Sequence, residues 1–517
     1  MSPWKASDVD DIVVGAGSAG AVLAARLSED PSRRVLLIEA GPHYRATGTT
    51  PPDLLDANTM SLVDHSWGFT ARLTGDRRVM FPLAKVTGGS SAVGNTVAIR
   101  GTPHDYDEWA SAGNPLWSWQ NVQPFFRSLE DDLDFGDRAC HGRGGPVPIR
   151  RWRPEELTEL QQEFREACLA AGHPWAEDHN HPDSTGVGPI PSNRRDPLIR
   201  ISTAMSYLWP AAERDNLTIL PRSSVDRVVF EGDRAAGVVV AIDGGAYETI
   251  RAGRVILAAG AISSPAILLR SGIGPAEDLR ALGIDVRQDL PGVGAGLTDQ
   301  PRIGVFMTPK PGYENEGKST GQIVTRTTAD RFNDQYYAAV NRFDLTHHFP
   351  ELRRVAGATA VFGVMVVLRR QFSRGRVTLA SADPYIAPAV DLGYLSDERD
   401  YGLLADGVRG CWELASSPKI LDKGEQLVAV DERIMDDDQA LRDYIEKGVD
   451  SAYNPVGTAR MGPAGDPDAV VDQHCAVHGV DGLHVVDASI MPSMVCANTH
   501  LSVVMIGERA AALLRDR

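Results

Sequence analysis

The sequence predicts an α/β fold: a Rossmann-like dinucleotide-binding domain joined to a second, sheet-rich domain of α+β character. Three observations lead there. Residues 10–41 place an apolar strand, a Gly15-x-Gly17-x-x-Gly20 turn, a helix and a second apolar strand ending on Glu39 in one continuous unit. Arg254–Gly260 and Leu483–Ser489 read as further buried strands, each running towards an apolar-periodic helix. Between about residues 301 and 400 the pattern shifts to strand-like runs with aromatic residues, among them Tyr336-Tyr337, Phe362–Leu368 and Arg376–Ala380.

Each part of the first unit has a physical task. The strand Ile12–Val14 feeds Gly15, which permits the tight turn, and Gly17, which lets a pyrophosphate approach the backbone. Gly20 allows the helix Ala19–Leu27 to pack closely on the strand. The helix N-terminus offers free N–H groups and a partial positive charge to phosphate. Glu39 closes the strand Val35–Ile38, where a carboxylate accepts ribose hydroxyls, and an acid there favours a ribose without a 2′-phosphate. This unit binds an adenine dinucleotide and leaves NAD and FAD both open.

The chain of 517 residues is long enough for two or more domains, and its 43% hydrophobic and 23% charged residues are those of a globular protein. A net charge of −17 argues against nucleic acid or an anionic membrane surface as partner. Cys140, Cys168, Cys411, Cys475 and Cys496 form no CxxC pair and read as reduced thiols, with no metal site expected. No apolar stretch reaches the length of a membrane span, since Val361–Leu368 is short and is ended by Arg369-Arg370, and Met1-Ser-Pro-Trp-Lys-Ala shows no apolar h-region. A cytoplasmic location is expected.

Residues 42–80 read as an extended excursion, followed by the small-residue segment Lys85–Gly101, which permits close backbone approach to a flat or charged group. Helices are expected near Val122–Leu129, Leu157–Ala171, 399–416, 437–447 and Leu501–Leu514, and strands over Leu217–Leu220, Val225–Phe230 and Ala236–Ile242. Ser264 is expected to cap a helix that carries Pro265 at its first position. The acid Asp487, at the end of the Leu483 strand, and the helix after it form a second polar rim suited to the far end of a dinucleotide.

Three stretches together resemble the glucose–methanol–choline (GMC) oxidoreductases, FAD enzymes that oxidise alcohols. They are Gly88-Gly-Ser-Ser-Ala with Arg100-Gly101 and Asp105-Tyr-Asp-x-Trp109; Gly260–Gly274; and Tyr453-x-Pro-Val-Gly-Thr-x-Arg-Met-Gly462 with Val485–Pro492 and Met505–Arg509. Smaller pieces, Leu290–Gly294 and Ser373–Val377, lie in family order, so the resemblance spans nearly the whole chain. It implies FAD as cofactor. It implies that Gly15, Gly17, Ser18, Ala19, Glu39 and Ala40 hold the ADP half and Val225 the adenine. Thr87, Ser91, Gly94 and Asn95 would line the flavin and its linker, with Asp487, Ala488, Thr499 and His500 near the ring. Some relatives attach FAD through a His in the Gly-Gly loop; Val93 stands there, which implies non-covalent FAD. On this reading residues 1–155, 196–300 and 452–517 form a discontinuous FAD-binding domain, and 156–195 and 301–451 the substrate-binding domain.

The chain departs from the family pattern at its usual base. The His of a Tyr-His-Pro-Val-Gly-Thr motif is Asn454 here, and the partner position is read onto His500 of Ala497-Asn-Thr-His. Alcohol oxidation removes the hydroxyl proton and passes a hydride from the carbinol carbon to flavin N5. A neutral imidazole, with an ordinary pKa of about 6.5, takes that proton near neutral pH. An Asn amide is no base but orients a hydroxyl. Three readings stand: His500 is the base and Asn454 orients the substrate; the site does non-standard, lyase-type chemistry; or Asn454 is an engineered or degenerate change in an ordinary oxidase. The motif positions Gly94, Gln300 and Gly393 depart from the pattern as well.

Three further features read as bland. His347-His348 is a surface loop rather than a metal pair, and Asp436-Asp-Asp438 a solvated turn and helix start. The pairs Arg353-Arg354 and Arg369-Arg370 read as surface solvation rather than anion binding. The function expected is FAD-dependent oxidation of a primary alcohol, aromatic ones included, with oxygen or another group as electron acceptor. A redox-silent flavoprotein and an inactive FAD-binding protein are the rivals.

Overall fold

The structure is a computed structural model and describes residues 9–195, 198–313, 321–327, 335–346 and 350–515. Its organising sheet has five parallel strands: β1 (Asp11–Val14), β2 (Val35–Ile38), β3 (Leu217–Leu220), β4 (Arg254–Leu257) and β5 (Leu483–Val485). Their order is β3-β2-β1-β4-β5, with Ile12 level with Leu36 on one side and Val255 on the other. Every residue of β1 and β2 is buried, and both are apolar apart from Asp11, whose carboxylate is paired with Arg33 and Arg254.

Three helices cover this sheet: α1 (Ser18–Leu27), α2 (Gly260–Arg270) and α3 (His500–Arg515). Gly20 lets α1 lie on the turn before it, since a Cβ there would come within 1.8 Å of the Gly15 carbonyl oxygen. Helices α1 and α3 are pinned together by Arg26, whose Nε donates to Glu508 at 2.8 Å, while the Tyr207 hydroxyl donates to the same carboxylate at 2.7 Å.

Helix α2 corrects one expectation. It begins at Gly260, so Ser264 and Pro265 lie inside it rather than at its start. Pro265 has no N–H for the carbonyl of Ala261, and the Thr458 hydroxyl donates to that oxygen instead, at 2.6 Å. Ser264 turns its hydroxyl to Asp487 at 2.6 Å.

Against this layer stands a three-stranded meander, Ser223–Glu231, Arg234–Ile242 and Tyr247–Arg251. Beyond it lies a large antiparallel sheet in the order Gly424–Val428, Pro301–Pro309, Ala360–Leu368, Gln335–Asp344, Ile323–Arg326 and Gly186–Pro189, with Asp450–Ser451 added at Pro301. Its two faces do different work. Met365 and Val367 line a cavity, whereas Val366 packs beneath the helix Glu398–Ala415, so close that a Cβ on Gly407 would lie 2.9 Å from it.

A mixed sheet ties the two regions together. It joins Phe69–Arg72, Arg78–Phe81 and Ala295–Leu297 to Gly375–Thr378 and Ala389–Asp391, and so crosses the boundary drawn after residue 300. No described helix is long and apolar enough to cross a membrane.

Candidate active site

A cavity of about 940 Å³ runs from the C-terminal ends of the parallel strands to the inner face of the antiparallel sheet. Open α/β sheets bind ligands at that end of their strands. Gly15, Gly17, Ser18, Ala19, Glu39, Ala40, Ser91, Gly94, Asn95, Val225, Asn454, Asp487, Ala488, Thr499 and His500 all line it. Thr87 does not; it is buried behind the wall, with its backbone N–H on the Pro42 carbonyl and its hydroxyl 3.1 Å from Nδ1 of His43.

The first end fits an adenine dinucleotide. No side chain caps the N-terminus of α1, so its leading N–H groups stay available to a phosphate. The loop Gly88-Gly89 closes against Gly17, and a Cβ on Gly89 would sit 2.7 Å from the Gly17 Cα. Glu39 accepts from the backbone N–H of Ala16 at 2.9 Å and of Gly41 at 2.8 Å, and a carboxylate with two such bonds has lone pairs left for a ribose. Burial pushes its carboxyl pKa up, opposed by those backbone donors.

Asp487 is committed more fully. One oxygen accepts from the Gly260 N–H and the Ser264 hydroxyl, the other from the Ser489 N–H at 2.8 Å, so this carboxylate anchors the start of α2 to β5.

At the other end Asn454 is held from three sides. Its backbone N–H donates to the buried Asp299 at 2.7 Å, its Nδ2 to Oε1 of Gln300 at 2.9 Å, and its Oδ1 accepts from the Thr499 hydroxyl at 3.2 Å. Gln300 is fixed in turn by the carbonyls of Arg369 and Ala497. One Nδ2 hydrogen of Asn454 is left over for a ligand.

His500 is placed differently. Its Nδ1 lies 3.4 Å from the Ser18 hydroxyl, at the Gly15–Gly20 turn, and its Nε2 is enclosed without a hydrogen-bond partner. Burial alone lowers its pKa to about 4, so the ring is neutral at neutral pH. It shares no hydrogen bond with Asn454, whereas the neighbouring Thr499 does.

The remaining wall is mostly apolar, with Ile99, Ile190, Val324, Tyr336, Phe343, Met365, Val367 and Tyr453. Arg302 joins it while paired with Asp450 at 2.8 Å. The part played by Gln300 was signalled by the departure of its motif. Tyr336 and Arg302 carried no signal, because strand periodicity does not tell which face meets a cavity.

Two other features alter the sequence reading. Arg369 is not solvated: it is fully buried over the Tyr336 ring, 3.1 Å from its centroid, and Arg370 is ion-paired with Glu108. Away from the cavity, buried His141 lies between Asp178 at 2.9 Å and Asp132 at 2.9 Å, with Glu130 at 3.1 Å. Glu130, Asp132 and His141 bring their ligand atoms within 4.8 Å of one another. Arg100 and Arg151 already pair with those carboxylates, so the group is a charge-balanced ionic network. Arg353 and Arg354 are exposed, and Asp437 caps the helix Asp438–Gly448. His347-His348 lies outside the described residues.

The chain is similar to proteins along its whole length. Family models of GMC oxidoreductase match residues 9–302 and 371–507. An oxygen-dependent choline dehydrogenase of Chromohalobacter salexigens is 35% identical, over 99% of this chain and 96% of the relative. A 5-(hydroxymethyl)furfural oxidase of a Methylovorus species is 36% identical, over 97% and 98%. The crystal structure of pyridoxine 4-oxidase from Mesorbium loti superposes with a TM-score of 0.89 at 30% identity, covering 98% of this chain and 99% of that one. With the dinucleotide cradle, the motif segments and these matches in agreement, the chain belongs to the GMC oxidoreductases.

Proposed function

We propose that this protein oxidises a primary alcohol, aromatic alcohols included, to the carbonyl compound, with Asn454 orienting the hydroxyl and His500 taking its proton. As a GMC oxidoreductase the chain is an FAD-dependent alcohol oxidase or dehydrogenase. Bound FAD supplies the hydride acceptor and is reoxidised by oxygen or another acceptor. The relatives named for choline and 5-(hydroxymethyl)furfural act on molecules that carry a primary alcohol, which supports that substrate class.

The observation that carries the reading is the Asn454 amide. Gln300 and Thr499 fix it at the point where the dinucleotide cradle meets the apolar wall, and it keeps one N–H for a hydroxyl. Apolar side chains there exclude water, which strengthens that hydrogen bond. His500 is the imidazole among the described lining residues and is neutral, as a proton acceptor must be. Val93 presents only hydrocarbon to the cavity, which supports FAD held without a covalent bond, released intact by acid.

The contact of His500 with Ser18 favours a second reading, in which His500 holds the cofactor side of the site and does not touch the alcohol. Anaerobic mixing with a panel of primary and aryl alcohols tests the function. Loss of oxidised-flavin absorbance with at least one alcohol is expected. A flavin-loaded protein that no alcohol bleaches would leave the redox-silent or inactive reading in its place.

A further inference from the structure

Two tyrosines border the cavity at its adenine side, and no step of the chemistry uses them. From Glu39 the chain leads there directly: Ser223 N–H donates to the Glu39 carbonyl at 2.8 Å and Arg222 N–H to the Gly41 carbonyl at 2.9 Å. Ser224 is level with Ala241, and Ala241 with Tyr247, so Tyr247 stands across the meander from the segment that carries Val225. Ser224, Val225, Asp243 and Tyr247 all line the cavity. Opposite them a loop from the second domain brings Pro384, Tyr385 and Pro388 into the same wall.

The two rings lie 6.3 Å apart between centroids and are inclined by 52°. Tyr247 is 43% exposed and Tyr385 67%, next to a cavity whose other aromatic residues are buried or half-buried. The loop is preorganised: Tyr385 N–H donates to Oδ1 of Asp383 at 2.9 Å, and Asp383 N–H to the Ser381 hydroxyl at 3.1 Å. Prolines at 384 and 388 restrict it further. The two rings touch each other and leave their outward faces exposed at the mouth of the cleft, where an aromatic face matches the flat face of a purine.

We propose that the contacting Tyr247 and Tyr385 rings lie together against the adenine of FAD as a two-ring cap, so that the loop 379–388 takes part in holding the cofactor. The proposal rests on FAD binding and is independent of which alcohol, if any, is oxidised. A base stacked on an aromatic side chain is held about 5- to 150-fold more tightly than without it.

The test is titration of FAD-depleted full-length protein with FAD and with FMN, which lacks adenine, followed by flavin fluorescence. Tyr385→Ala and Tyr247→Ala are expected to raise the FAD dissociation constant at least fivefold and leave that for FMN unchanged, with Tyr385→Phe close to the parent. Unchanged FAD affinity in both alanine variants, or an equal loss for FMN, overturns the proposal. If an alanine variant fails to fold, nitration of the unmodified protein by tetranitromethane decides. FAD and ADP, but not FMN, are expected to protect Tyr247 and Tyr385, and equal nitration with and without ADP overturns it.

Discussion

The Thr499 hydroxyl donates to Oδ1 of Asn454 at 3.2 Å, while the next side chain along, His500, makes its contact with Ser18. Two adjacent residues at the start of α3 therefore serve both ends of the site. The Thr fixes the Asn454 amide, and the His reaches the Gly15–Gly20 turn.

Substitutions at the two positions separate their roles. Asn454→Ala removes one orienting hydrogen bond of about 1 kcal/mol, and flavin reduction by alcohol is expected to slow about fivefold to tenfold. His500→Ala is expected to slow it by roughly 10²–10⁴-fold, the contribution of a positioned base. Asn454→His places the family's usual base at the fixed position, and reduction should persist or rise. Stopped-flow traces decide: if His500→Ala reduces at the parental rate and only loses FAD affinity, the base assignment fails.

The pH profile provides an independent check on His500. A histidine lowered to about 4 is neutral, and so able to accept a proton, at every pH above that value. Flavin reduction should be level from about pH 6 upward and fall as the pH drops through about 4. His500→Gln should abolish that acid limb; a limb that survives the substitution belongs to another group.

Glu39→Ala removes the acceptor of the Ala16 and Gly41 N–H groups and, on the proposed reading, the acceptor for the ribose. FAD affinity is expected to fall at least tenfold, and the melting temperature of the FAD-saturated protein to fall with it, because bound ligand stabilises the native state by mass action. Glu39→Gln keeps a carbonyl acceptor and should lose less. Equal FAD affinity in parent and alanine variant would show that Glu39 serves only the turn.

The ionic network around His141 predicts a pH-dependent stability. Its carboxylate neighbours raise the His141 pKa to about 11, against the opposing effect of burial. A histidine raised in the folded state stabilises most fully below its unfolded pKa of about 6.5, and that contribution is lost as pH rises towards the folded value. Removing one member of a buried ion group costs about 3–5 kcal/mol. Urea midpoints should therefore separate the parent from His141→Gln widely at pH 6 and less at pH 9.5; a gap that widens with pH would contradict the protonated assignment.

Thr458→Val keeps shape and removes the donor that replaces the missing N–H of Pro265. Leaving the Ala261 carbonyl buried without it should cost about 1–3 kcal/mol, read as a lower melting temperature. In the background Pro265→Ala, which restores the N–H, the same change should cost less.

How much was legible in advance follows from distance along the chain. Gly15, Gly20, α1, β2 and Glu39 lie within thirty residues, and turn geometry, helical period and buried-strand composition are local properties, so the sequence specified that unit and the family motifs around it. In the antiparallel sheet the runs at Tyr336-Tyr337 and Phe362–Leu368 were legible for the same reason. What the local signals left open is orientation. Asn454 meets Gln300 across 154 positions and His500 meets Ser18 across 482, and packing between separate segments sets which way each side chain turns. Arg369 shows the same limit: beside Arg370 it reads as solvated charge, yet folding stacks it on Tyr336 in the interior. Pro265 shows it for the backbone, since a hydroxyl nearly two hundred residues away lets α2 run through a proline that local rules place at a helix start.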